Sequence, residues 1–123
     1  MVEDQEAVRH FGIHVLESCG YLVLAASNAS AALEIVENHR GPIHLLLTDV
    51  VLPGMSGMEL AEHIAVVSPR TRVLFTSGYA SESSTLRAVL DRGMGFLPKP
   101  YTPHVLTAKV REAIDAPGVQ SST

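Results

Sequence analysis

The stretch LLLTDVVLPGMSG, residues 45–57, places the tightest constraint on how this chain of 123 residues can fold. Leu45–Leu47 form a run too short for a helix and too apolar for a half-exposed strand, so they predict a strand buried on both faces. Pro53-Gly54 and Gly57 then stop the strand and turn the chain. Because chemistry in parallel α/β sheets gathers at the carboxyl ends of strands, Asp49 is a candidate functional acid.

The order of the predicted elements extends this assignment to an α/β fold. In chain order they are a helix over about 4–19, strand Tyr21–Ala26, a helix around Ala31–Val36, strand Ile43–Thr48, a helix over about Met58–Val67, strand Arg72–Thr76, helix Ser84–Leu90, strand Gly95–Leu97 and helix Pro103–Ile114. Strands that alternate with helices across short loops imply a doubly wound parallel sheet with helices on both faces. We predict one domain over residues 1–116 and a flexible tail over 117–123.

Composition narrows the range of partners. A hydrophobic fraction of 46% with 18% charged residues is ordinary for a globular domain, and no apolar run approaches the length of about 20 residues that a membrane span needs. A formal charge of −4 predicts no direct contact with nucleic acid. The single cysteine excludes an internal disulfide and favours a reducing compartment, so we predict a cytoplasmic domain that does not itself bind membranes.

Four polar positions are predicted at one edge of the sheet. Glu3-Asp4 precede the first helix, and Asp49, Ser77 and Lys99 each follow a predicted strand. Three carboxylates brought together repel one another unless a cation neutralises them, and hard oxygen ligands suit Mg²⁺, with Mn²⁺ as an alternative. A lysine and a hydroxyl beside such an ion describe a phosphate site.

Each of these residues also has a simpler interpretation. Asp49 alone could be a solvated loop acid, and Glu3-Asp4 could only favour the N-terminus of a helix through its dipole. Lys99-Pro100 could be a turn that carries a surface lysine, and Ser77-Gly78 a plain turn. The order and spacing of the four positions together favour the functional interpretation.

The same residues carry a resemblance to a known family. With Glu3-Asp4, the Asp49 loop, Ser77-Gly78 and Lys99-Pro100, the chain resembles receiver domains of two-component signalling over nearly its whole length. The resemblance implies a flavodoxin-like sheet with strand order 2-1-3-4-5, in which the first strand is central. Only Met1-Val2 precede the acidic pair, so we expect that first strand to be largely missing from this chain.

The resemblance also implies a role for each site residue. Asp49 would be the phosphoacceptor, taking a phosphoryl group from a phosphohistidine of a histidine kinase or phosphotransfer domain. The implied ligands of Mg²⁺ are the side chains of Glu3, Asp4 and Asp49 and the backbone carbonyl of Val51. Lys99 would pair with Asp49 and then with the phosphoryl group. Ser77 and Phe96 would form the switch that responds to phosphorylation.

The implied activity is limited to Mg²⁺-dependent self-phosphorylation of Asp49 and slow autodephosphorylation. A phosphoaspartate phosphatase needs a second acid two positions after its nucleophile, and Val51 stands there. The resemblance implies the receiver of a hybrid histidine kinase or a stand-alone regulator without an output domain, and the sequence around Ser77-Gly78-Tyr79 and the Pro-Gly-Ser tail resemble receivers fused behind kinase cores. A homodimer through the face formed by residues 83–114 is a further expectation. The alternative function is a receiver-like interaction module that works without phosphorylation.

Overall fold

The computed structural model describes residues 1–78, 87 and 94–115. The predicted helix Ser84–Leu90 lies outside these residues except for Arg87, which is helical. The predicted end of the domain at residue 116 and the tail over 117–123 also lie outside them. None of the helices in the described ranges is long and apolar enough to cross a membrane.

The described elements form a parallel sheet flanked by helices. They are α1 (Glu6–Ser18), α2 (Ala29–Asn38), β1 (Leu45–Asp49), α3 (Gly57–Val67), β2 (Arg72–Ser77), β3 (Gly95–Pro98) and α4 (Pro103–Asp115). The three strands pair in the order β1-β2-β3, and both pairings are parallel. The predicted α/β architecture is confirmed, with most element ends within two residues of the predicted positions.

The predicted strand Tyr21–Ala26 is wrong over most of its length. Only Ala26 pairs, through an isolated parallel bridge to Val2, and Val2 forms a second parallel bridge to Thr48. Val2 therefore lies between these two segments, in the central position expected for a first strand. Met1 N donates to the Leu24 carbonyl at 2.7 Å, but residues 21–25 form no strand in the described part of the structure.

Side chains alternate between two cores, one on each face of the sheet. On one face Leu46 and Phe75 pack with residues of α2 and α3, such as Ala32 and Ile64. On the other face Leu47, Leu74 and Leu97 pack with Val15 and Leu16 of α1 and with Leu106 and Val110 of α4. Consecutive leucines at 46 and 47 thus serve opposite faces, as expected for a strand covered by helices on both sides.

Local signals fix the starts of two helices. Asn28 accepts a hydrogen bond from the Ala31 N–H and so caps α2. Ser56 and Glu59 form a reciprocal capping box at the start of α3, in which each side chain accepts from the other residue's backbone N–H. The capping box therefore fixes the loop that follows Asp49 at its junction with α3.

Candidate functional site

Asp49 is held at the carboxyl end of β1 by its neighbours on both sides. Its N–H donates to the Val2 carbonyl at 3.2 Å, and the Val50 N–H donates to the Thr76 carbonyl of β2 at 2.9 Å. Gly57, the first residue of α3, donates its N–H to the Val50 carbonyl at 2.8 Å. A Cβ at position 57 would overlap the Asp49 carbonyl, so only glycine lets the helix approach this closely.

Lys99 joins Asp49 to a second carboxylate. The Lys99 Nζ lies 2.7 Å from Asp49 Oδ2 and 2.7 Å from Glu3 Oε1. The other Asp49 oxygen, Oδ1, accepts a hydrogen bond from the Val51 N–H at 3.2 Å. Burial by itself lowers the pKa of Lys99, but hydrogen bonds to Asp49 and Glu3 outweigh that effect and raise the pKa above its ordinary value. The side chain is therefore a fixed ammonium between two acids.

Glu3 is almost completely buried, and both its backbone and its carboxylate contact other residues. Its N–H donates to the Ala26 carbonyl at 3.0 Å, and its Oε2 accepts from the Gln5 N–H at 3.0 Å. The Arg9 guanidinium donates to its carbonyl oxygen at 2.9 Å. With 1% of its surface exposed, Glu3 is a structural acid of the site as well as a partner of Lys99.

Asp4 completes a cluster of three carboxylates. One oxygen each from Glu3, Asp4 and Asp49 can be chosen so that all lie within 4.8 Å of one another. Asp4 is exposed, whereas Glu3 and Asp49 are buried, so the cluster opens to solvent on the side of Asp4. Three hard oxygen donors with an open side have the chemistry of a Mg²⁺ site that keeps several waters.

The other three predicted site residues are Ser77, Val51 and Phe96, and they differ in their contacts with the site. Ser77 is buried at the end of β2, and its carbonyl accepts from the Lys99 N–H at 2.9 Å, which brings β2 and Lys99 together. Val51 is adjacent through its N–H, with a side chain that is 51% exposed. Phe96 pairs with Phe75 in the sheet and packs, partly buried, against the core under α2 and α3. Residues 79 and 80 of the loop after β2 lie outside the described residues.

Two residues that contact or lie near the site, Arg9 and Tyr101, are not predicted from the sequence. Arg9 contacts Glu3 through the backbone carbonyl, and its position in α1, shortly after the acidic pair, is the signal that could have suggested it. Tyr101 follows Lys99-Pro100, whose peptide bond is cis. Its hydroxyl is buried without a hydrogen-bond partner among the described residues, and burial, followed by the charge of Glu3, raises its pKa. No sequence pattern marked its burial.

Comparison with known proteins identifies the family of this chain. A family profile described as the response regulator receiver domain matches residues 1–111. The chain belongs to the response regulator receiver family. Over 115 residues the receiver is 36% identical to the sensor kinase CckA of Brucella abortus, covering 94% of this chain and 12% of the kinase. It is 33% identical over 101 residues to the response regulator receiver protein CpdR of the same organism, covering 82% of each chain.

Solved receivers have the same fold. The receiver domain of the hybrid histidine kinase CckA superposes with a TM-score of 0.78 at 34% identity, covering 93% of this chain and 95% of that one. A CheY-like receiver domain protein of Methanospirillum hungatei gives a TM-score of 0.81 at 32% identity, with 93% and 90% covered. The predicted family and the flavodoxin-like fold class are confirmed. The receiver spans about an eighth of the length of the sensor kinase that it matches.

Proposed function

We propose that this receiver accepts a phosphoryl group on Asp49 from a phosphohistidine of a histidine kinase or phosphotransfer domain. The observation that carries the proposal is the Lys99 ammonium, 2.7 Å from both Asp49 and Glu3, beside an acid cluster that opens at Asp4. The similarity to a sensor kinase and to a response regulator receiver protein supports this class of partner.

The side chains around Asp49 fit the role of a nucleophile. In the proposed step an Asp49 oxygen forms a bond to phosphorus while the bond from phosphorus to the donor imidazole nitrogen breaks, and the nitrogen keeps the electron pair. Lys99 and the Val51 N–H hold one Asp49 oxygen each, so the carboxylate is oriented before the donor arrives. Lys99 is also placed to pair with the phosphoryl oxygens after transfer.

The donor set fits a divalent cation. Three carboxylates and one ammonium leave a formal charge of two negative units at this edge of the sheet. Glu3, Asp4 and Asp49, with the carbonyl of Val51, would hold Mg²⁺, and Mn²⁺ would bind the same ligands. When bound, the ion would offset the charge that spreads over the phosphoryl oxygens during transfer.

The proposed response to phosphorylation begins at Ser77. Its hydroxyl would bond to a phosphoryl oxygen and draw in the loop that follows β2, and Phe96 on the neighbouring strand would follow by packing alone, because it has no hydroxyl. Autodephosphorylation is slow in this proposal, since the apolar side chain of Val51 offers an attacking water no hydrogen bond. The homodimer through residues 83–114 and the cytoplasmic location stay predictions.

Labelling with a small phosphodonor tests the proposal. Acetyl phosphate and Mg²⁺ should add one phosphoryl group that hydroxylamine removes, because acyl phosphates react with hydroxylamine. Asp49→Asn should abolish the addition, while the control Asp115→Asn, at an exposed position of α4, should leave it unchanged. Intact-mass spectra in which Asp49→Asn is labelled as fully as wild type would show that the acceptor is wrong. A folded wild type that takes no label would instead favour the interaction module.

A further inference from the structure

Asp4 lies beside two buried acids without a bond of its own. One of its carboxylate oxygens is within 4.8 Å of an oxygen of Glu3 and of an oxygen of Asp49. Asp4 is nevertheless exposed, and within the part of the chain that the structure describes it forms no hydrogen bond or ion pair. The position of this carboxylate is therefore set by the residues on either side of Asp4.

Arg9 binds the backbone on both sides of Asp4. Its Nη1 donates to the Glu3 carbonyl at 2.9 Å, and its backbone N–H donates to the Gln5 carbonyl at 2.9 Å. The Gln5 N–H in turn donates to Glu3 Oε2 at 3.0 Å. These three bonds close a turn around Asp4, and the bond from Nη1 is the one that depends on the side chain of Arg9.

The guanidinium of Arg9 acts on the backbone and not on a carboxylate. Among the residues that the structure describes, Arg9 forms no ion pair. Gln5, the N-cap residue of α1, makes no capping hydrogen bond through its side chain. The start of α1 is held instead by the contacts of Glu3 and Arg9, and a charged donor makes a stronger hydrogen bond than a neutral one.

We propose that Arg9 is a positioning residue for the divalent cation, which holds the Glu3 carbonyl and thereby keeps the Asp4 carboxylate turned toward Asp49. This inference rests on the proposed Mg²⁺ site. A positive charge near that site repels Mg²⁺, so loss of the Arg9 charge by itself would strengthen Mg²⁺ binding. Loss of a positioning contact weakens it. The two explanations therefore predict changes of opposite sign.

Mg²⁺ titrations of the full chain, followed by amide chemical shifts, test the inference. Arg9→Met should raise the dissociation constant for Mg²⁺ about tenfold, because losing a residue that orients metal ligands costs about 10–100-fold in metal affinity. The control is Arg70→Met, which removes the same charge from an exposed turn before β2, at the opposite edge of the sheet. It should change the dissociation constant by less than about twofold.

A second variant keeps the test open if Arg9→Met does not fold. Arg9→Gln retains a polar end and a good helix propensity, but its side chain is too short to bring a donor to the position of Nη1. It should weaken Mg²⁺ binding in the same direction as Arg9→Met, with Arg70→Gln as its control.

A double-mutant cycle shows whether Arg9 acts through Asp4. With Asp4→Asn already present, Arg9→Met should raise the dissociation constant much less than tenfold, since the ligand that it positions is gone. Equal weakening in both backgrounds would overturn the inference. Unchanged or tighter Mg²⁺ binding by folded Arg9→Met would also overturn it, and would leave the Mg²⁺ site itself intact. A wild type that binds no Mg²⁺ would remove both the site and the role of Arg9.

Discussion

Lys99 is the residue on which the charge balance of the acidic site depends. Its Nζ contacts Glu3 and Asp49 at 2.7 Å each, and its side chain is only 12% exposed. Lys99→Met keeps most of the aliphatic stem but leaves the buried Glu3 without its counter-ion. We expect the free energy of unfolding, measured by urea denaturation in EDTA, to fall by about 3 kcal/mol, since breaking one side of a buried pair leaves an uncompensated charge. Saturating Mg²⁺ should recover more stability in this variant than in wild type.

A surface lysine provides the matched control for that measurement. The Lys109 Nζ lies 3.6 Å from Glu112 on the exposed side of α4, where both charges remain solvated. Lys109→Met should change the free energy of unfolding by no more than about 0.5 kcal/mol. If Lys99→Met costs as little as the control, Glu3 and Asp49 do not depend on Lys99 for compensation.

At the scale of elements, the contact between β1 and α3 is set by Gly57. A Cβ there would overlap the Asp49 carbonyl, which is backbone and cannot rotate away as a side chain can. Gly57→Ala should therefore push α3 from the end of β1, lower the free energy of unfolding by about 1–3 kcal/mol and slow phosphorylation by acetyl phosphate. Urea denaturation and the rate of labelling give the two readouts.

Gly12 in the middle of α1 is the comparison for that substitution. A Cβ at Gly12 would overlap Sδ and Cε at the far end of the Met1 side chain, which can move, and would lie in ordinary contact with the Tyr101 hydroxyl at 3.9 Å. Alanine also favours a helix interior by about 1 kcal/mol relative to glycine, so Gly12→Ala should be close to neutral. Equal losses in the two variants would mean that the position of α3 does not depend on the absence of a side chain at 57.

Some elements carry enough local signal in the sequence to be predicted and others do not, for a physical reason. The strand and loop around Asp49 carry their own signals, namely an apolar run, Pro53-Gly54 and Gly57, and the structure contains both. Local β-propensity predicts the strand Tyr21–Ala26, but a strand also needs a neighbour, and the chain supplies only Met1–Glu3 there.

The proximity of Asp49 and Lys99 follows from parallel topology. The burial of Glu3 beside an exposed Asp4, and the contact from Arg9, depend on three-dimensional packing that spacing does not encode.

At the scale of the whole molecule, a buried amino group makes the stability of a chain that begins at Met1 depend on pH. Burial lowers the pKa of the Met1 amino group from 8.0 to about 6. Below about pH 6 the group is protonated in both states, so the folded state bears the full cost of a buried ammonium, and above about pH 8 that cost is gone. The free energy of unfolding of a chain that begins at Met1 should therefore rise with pH across this window by up to about 2.7 kcal/mol.

Acetylation of the Met1 nitrogen isolates this effect, because it removes the charge of that one amino group and leaves every side chain unchanged. Urea denaturation between pH 5.5 and 8.5 should give a smaller rise with pH in the acetylated chain than in the free one. Parallel curves for the two chains would assign the pH dependence to other groups.

The double bridge at Val2 makes two adjacent acids inequivalent. Successive side chains of an extended segment point in opposite directions, so the residue directly after Val2 is turned inward to Lys99 and the next one outward to solvent. Glu3 and Asp4 have the same charge, yet Glu3 is buried and Asp4 is exposed to solvent. The order of the two acids therefore matters. Exchanging Glu3 and Asp4 would preserve composition, net charge and isoelectric point, but it would place the shorter aspartate side chain at the buried position.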